Sequence, residues 1–227
     1  MAKKHTVATF LRQNSLSIAL FSLFFLFLGG LSVTGWQHEN EQLLQHGQPT
    51  MTYIDYIGSG EFIEAVFENW ESEFLQMWAL VMLTIYLRQR GSADSKKLRG
   101  HEAFDTSAKY SVLHGKDWQH RSKAFGSWLY ANSLGLVLLA LFIISFSLHA
   151  LGGLAAYNSE VIAHHEPQIS LVDYVTSSTF WFESFQNWQS EFLAVGSLLV
   201  LSVFLRQRGS PESKPIGASN SATGGSS

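Results

Sequence analysis

Phe67-Glu-Asn-Trp-Glu-Ser-Glu-Phe-Leu75 opens a stretch that passes through an apolar segment to Leu87-Arg-Gln-Arg-Gly-Ser92, and the chain writes this stretch twice. The second copy runs from Phe185 to Ser210, at a constant offset of 118. Seven of the nine positions from Phe67 to Leu75 recur, as do all six from Leu87 to Ser92. A segment that begins with acids and aromatics, turns apolar and ends in arginines reads as a helix entering and leaving a membrane. Its recurrence reads as a tandem duplication.

The rest of the chain is organised around these two copies. Leu16–Val33 carries no charge, and Ala131–Tyr157 is a longer uncharged stretch whose one strongly polar interior residue is His149. Each is long enough to cross a hydrocarbon core of about 30 Å at about 1.5 Å per residue. The repeated segments are apolar only over Phe74–Leu87 and Phe192–Leu205. To cross, they must extend upstream to about Phe67 and Phe185, and helices over Glu61–Arg90 and Thr179–Arg208 fit that need. The expectation is an all-α membrane protein with four transmembrane helices, arranged as two tandem two-helix repeats of the same orientation. The corresponding parts are an N-terminal arm (1–13), a first membrane repeat (14–92), a linker (93–127), a second membrane repeat (128–210) and a disordered tail (211–227). The paired glycines Gly29-Gly30 and Gly152-Gly153 align the first helices of the repeats only if one is five residues longer, with its outer segment five shorter.

Charge placement gives orientation. All 15 Lys and Arg fall before residue 13, between 88 and 123, or after 205, while the intervals 13–87 and 124–205 hold 13 of the 18 acidic residues. The positive-inside rule then places both termini and the linker in the cytoplasm. Trp118 in the linker would rest on the inner interface. The absence of Cys excludes disulfides and thiolate metal sites. A cleaved signal peptide over residues 1–35 is the alternative for the first span, and parity with the second repeat disfavours it. The basic linker suits anionic lipid better than nucleic acid.

On a wheel of about 100° per residue, Asn69, Ser72, Glu73 and Gln76 share one narrow face. Asn187, Ser190 and Glu191 repeat it, with Ala194 in place of Gln76. A carboxylate at the start of an apolar run is costly unless it meets a polar cavity, a partner or a proton. Glu73 and Glu191 are therefore the candidates for binding a proton or cation, and His149 could join them as a proton partner. The unrepeated acids, Glu61, Glu64, Glu68 and Glu71, fall on another face and read as solvated. Asp55-Tyr56 and Asp173-Tyr174 read as the start of short interfacial helices. The outer His38, His46, His164 and His165, with nearby glutamates, have the chemistry of a zinc or copper site but no compact ligand spacing.

Soluble-enzyme motifs such as His-Glu-x-x-His, Gly-x-Ser-x-Gly and the phosphate loop are missing. No catalytic residue and no cofactor is expected. Haem would need a second intramembrane histidine. The expected partners are the lipid bilayer and further copies of the chain or a larger membrane complex. With its Asn-Trp-x-Ser-Glu-Phe and Leu-Arg-Gln-Arg-Gly-Ser motifs, the chain resembles, over about residues 10 to 210, a bacterial family of small integral membrane proteins known only as a domain of unknown function. That resemblance implies the bacterial inner membrane and supplies no activity. The functional expectation is a small proton or cation channel or transporter-like protein. The alternative is a membrane scaffold or accessory subunit in which the polar stripe bonds helix to helix.

Overall fold

The computed structural model describes residues 7–100 and 124–224. The central linker between them, Trp118 included, lies outside the described residues. Among these residues the protein is all helix, with no strand. The elements are α1 (Val7–Gln13), α2 (Ser15–Gln45), α3 (Tyr53–Ile57), α4 (Gly60–Tyr86), α5 (Ala124–Ala131), α6 (Ser133–Ala163), α7 (Leu171–Val175) and α8 (Ser178–Phe204). The bounds of α6, α7 and α8 each fall 118 residues after those of α2, α3 and α4. The five-residue compensation expected from the paired glycines is therefore absent. In the constant register Gly35, not Gly30, corresponds to Gly153.

Two helices, α2 and α6, are long and apolar enough to cross a membrane. Phe21, Phe25, Leu26 and Phe27 on α2 are each more than 60% exposed. A soluble core helix would bury such side chains. Both helices outrun the uncharged stretches that predicted them, continuing into segments expected to be loops. They stop where the backbone turns left-handed before a proline. After α2, Gly47 has φ +69°, the Gly47 N–H donates to Leu44 O, the Gln48 N–H donates to Leu43 O, and Pro49 follows. After α6, His165 has φ +61°, with His165 N–H to Ile162 O, Glu166 N–H to Val161 O, and Pro167 next. This is the six-to-one and five-to-two bonding of a Schellman stop, which usually requires glycine at the left-handed position.

The chain divides into two compact units, Met1–Glu64 with Gly152–Gln168, and Ala65–Leu151 with Ile169–Ser227. In the first, the Trp36 indole N–H and Asn40 Nδ2 both donate to Met51 O, and the Met51 N–H returns to Asn40 Oδ1 at 2.7 Å. These bonds hold the loop that delivers α3. The Thr52 hydroxyl caps α3 by accepting from the Asp55 N–H. Tyr56 is buried against Gly35, where any Cβ would strike its hydroxyl. Burial first, and the charges of Glu39 and Glu61 second, raise the Tyr56 phenol above its ordinary value. The start of α4 meets the end of α6 backbone to backbone: a Cβ on Gly60 would lie 2.7 Å from Gly152 O, and one on Gly152 2.7 Å from the Glu64 nitrogen.

In the second unit, Ser170 caps α7 in a full capping box with Asp173. Helices α4 and α8 both end four residues earlier than expected, at Tyr86 and Phe204. Arginine side chains take over the last carbonyls there: Arg88 Nη1 donates to Tyr86 O, and Arg206 Nη1 to Val203 O and Leu205 O. The turns that follow have matching bonds. The Gln89 N–H donates to Ser95 Oγ and the Gln207 N–H to Ser213 Oγ, each at 2.8 Å, with Gly91 and Gly209 left-handed at φ +87° and +83°. The repeated motif thus extends three residues further than sequence comparison took it, through Ser95 and Ser213.

The tail from Pro211, expected to be disordered, is a run of turns as far as Gly224. Lys214 Nζ donates to Ser219 O, Asn220 O and Ala222 O, while Thr223 Oγ1 accepts from the Gly91 N–H at 2.7 Å. A Ser- and Gly-rich composition argues against order when only apolar burial is considered. Here the ordering bonds are polar, made to a lysine and to an adjacent turn.

Candidate functional site

The most enclosed polar cluster lies within the second unit and centres on His149 of α6, which is fully buried. Its Nδ1 is 3.0 Å from Glu71 Oε2, and Glu71 on α4 is equally buried. On the other side, Nε2 is 3.7 Å from Glu183 Oε2 of α8, whose side chain is 28% exposed. The contacts are close, but neither ring nitrogen forms an aligned hydrogen bond. The carboxylates are fixed from behind. Trp188 Nε1 donates to Glu71 Oε1 at 3.1 Å, and the Tyr174 hydroxyl donates to Glu183 Oε2 at 3.3 Å. The Phe180 ring lies 4.9 Å from the imidazole, tilted by 32°, and closes the cluster on its apolar side.

The chemistry follows from counting donors. A neutral imidazole offers one N–H and one acceptor nitrogen, whereas here both nitrogens face carboxylate oxygens. Either the ring carries both protons, or one carboxyl holds a proton of its own. The arrangement has room for one proton shared among the three side chains. With an imidazolium and two carboxylates these three side chains together are singly negative.

The repeated polar stripe is arranged otherwise. Glu73 and Asn69 are exposed, Ser72 and Gln76 are buried, Glu191 and Asn187 are half-buried, and Ser190 is exposed. Asn69 donates to Ala65 O, Ser72 to Asn69 O, Asn187 to Glu183 O and Ser190 to Asn187 O. These four side chains bond to their own helices. His149 pairs with Glu71 and Glu183, not with Glu73 or Glu191.

Glu71, read as solvated from its place on the wheel, is the main correction. Favouring repeated residues pointed away from it, because Glu71, His149 and Glu183 have Gln189, Leu31 and Ala65 at the offset of 118. The signal that finds the trio is the set of positions where the halves differ in charge. A histidine alone in an uncharged helix adds to it, because such a residue needs a charged partner from elsewhere.

The outer histidines are used locally. His38 Nε2 contacts Gln42 Nε2 at 3.0 Å, His46 Nδ1 lies 2.9 Å from Gln42 O, and His165 ends α6. His46 and His164 stand edge to face with ring centroids 6.2 Å apart. Among the described residues, His38, His46, His164 and His165 do not bring three metal-ligand atoms together.

No curated protein and no solved structure is similar to the chain. The family described as "Domain of unknown function (DUF6766)" matches residues 7–225, and the protein belongs to it.

Proposed function

We propose that the protein is a bacterial inner-membrane protein with four spans, α2, α4, α6 and α8, produced by tandem duplication. Both termini lie in the cytoplasm, and its work depends on a proton or small cation held by His149, Glu71 and Glu183. In this reading it is a small channel or transporter-like protein with no enzymatic activity, assembled with further copies of itself. The observation that carries it is the full burial of His149 between two carboxylates on other helices. Burying ionisable groups inside a span costs several kcal/mol of desolvation that packing alone would avoid, so such groups tend to mark function. The exposed belt of apolar residues on α2 and the confinement of Lys and Arg to three segments support the membrane placement.

A scaffold or accessory-subunit role is the second reading. It is favoured by the bond from Trp188 to Glu71, which ties α8 to α4 as a structural pair would. Flux across proteoliposomes separates the two. Under a proton gradient, and then under single-cation gradients, the wild type should conduct or exchange. Glu71→Gln and His149→Gln should lose that flux, and Glu73→Gln and Glu191→Gln should keep it. A wild type silent under every gradient would move the weight to the scaffold reading.

A further inference from the structure

The second unit also contains a groove of about 520 Å³ between α4 and α8, which begins at Gln76, five residues along α4 from His149's partner Glu71. Its walls are Leu80, Leu83, Thr84, Phe192, Val195 and Leu199, and its volume falls in the roughly 300–1,000 Å³ range of small-molecule sites. Gln76 lies at one end, and Arg88 and Asp94 at the other. From Gln76 to Tyr86 the wall rises about 15 Å at about 1.5 Å per residue. That matches one leaflet of a hydrocarbon core about 30 Å thick.

The groove depends on one departure from the repeat. Gly196 lines it, and the residue 118 positions earlier is Trp78. A Cβ on Gly196 would meet no atom within 4 Å, so the space beside it is open. The mouth carries charges of both signs. Arg88 is steadied by its bond to Tyr86 O, Asp94 is exposed, and no ion pair joins the two.

We propose that this groove binds one phospholipid with a phosphoethanolamine head, its acyl chain along α4 and α8, its phosphate at Arg88 and its ammonium at Asp94. A guanidinium and a carboxylate lining the same groove fit a zwitterionic head with a primary ammonium. A purely anionic head would face Asp94, and a trimethylated one could not donate hydrogen bonds to it. The proposal rests on the reading that α4 and α8 span the membrane.

Purified full-length protein, delipidated in detergent, is offered phosphatidylethanolamine, phosphatidylglycerol or phosphatidylcholine, and retained lipid is counted by native mass spectrometry. The wild type should retain one phosphatidylethanolamine at least about tenfold better than either other lipid. Gly196→Trp should abolish retention, with Gly196→Leu as the second variant should the tryptophan impair folding. Asp94→Asn should remove the preference for ethanolamine over choline. Equal retention of all three lipids, undiminished retention by both Gly196 variants, or a lipid-free dimer that occupies the groove would each overturn the proposal. A cysteine at Leu83, probed in intact vesicles, tells its failure from that of the membrane reading. Shielding from aqueous label with no lipid retained defeats this inference alone, while full labelling defeats the membrane reading.

Discussion

Charge burial at His149 dominates the energetics at the scale of single residues. With two carboxylates beside it, removing the ring leaves Glu71 buried without its partner. Such a loss typically costs about 3–5 kcal/mol, whereas Glu71→Gln keeps an acceptor for Trp188 and should cost less. Thermal unfolding in detergent should therefore rank His149→Leu well below Glu71→Gln, and equal midpoints would mean that the ion pair contributes little. Asp173 gives a pH signature separate from that cluster. Its carboxylate is held below the ordinary value by bonds from the Ser170 side chain and then the Ser170 backbone. A group whose folded pKa is lowered stabilises fully above its unfolded value, about 3.9, and loses that contribution as pH falls through the folded one. Stability should thus drop more steeply below about pH 4 in the wild type than in Asp173→Asn. Parallel acid profiles would show that the cap is not felt.

Helix ends are where the two halves can be tested against each other. Gly47 and His165 stop α2 and α6 with the same bonds, yet only His165 carries a side chain in the left-handed region, a conformation that disfavours L-residues by about 1 kcal/mol or more. His165→Gly should raise stability by up to about 1 kcal/mol, and Gly47→His should lower it by a similar amount. Gly91 and Gly209 allow a second comparison. Both are left-handed, but a Cβ at Gly91 also strikes Asn220 O and lies 2.8 Å from Val203 Cγ1, while one at Gly209 meets nothing. Gly91→Ala should be the more damaging, by about 1–3 kcal/mol of overpacking. Equal losses would mean that the tail does not rest on that turn. These stops were only half legible in sequence. Pro49 and Pro167 mark where a helix cannot continue, but the uncharged runs Leu16–Val33 and Ala131–Tyr157 end well before them. Polar residues such as His38 and Asn40 are helical because nothing breaks the pattern before Gly47. The short helices at Asp55 and Asp173 were legible, since a hydroxyl three residues ahead of an acid is a capping signal.

For the molecule as a whole, the constant offset of 118 is plain in the sequence, and the bounds of α6, α7 and α8 follow those of α2, α3 and α4 at that offset. The candidate site was far less legible, because it lies where the halves differ. A wheel built on one helix ranks its faces by what recurs there, and it carries no information about a histidine arriving from α6. The same departure from symmetry leaves the groove beside Gly196. The membrane reading underlies both, and the chain has no cysteine of its own, so single cysteines can report it directly. The decisive measurement is side-specific labelling of Thr50→Cys, Asp94→Cys, Glu166→Cys and Glu212→Cys in sealed inner-membrane vesicles of known orientation. Four spans predict that Asp94 and Glu212 are labelled from the cytoplasmic face and Thr50 and Glu166 only from the opposite face. Labelling of Thr50 and Asp94 from the same face would mean that α4 does not cross, and would contradict the account.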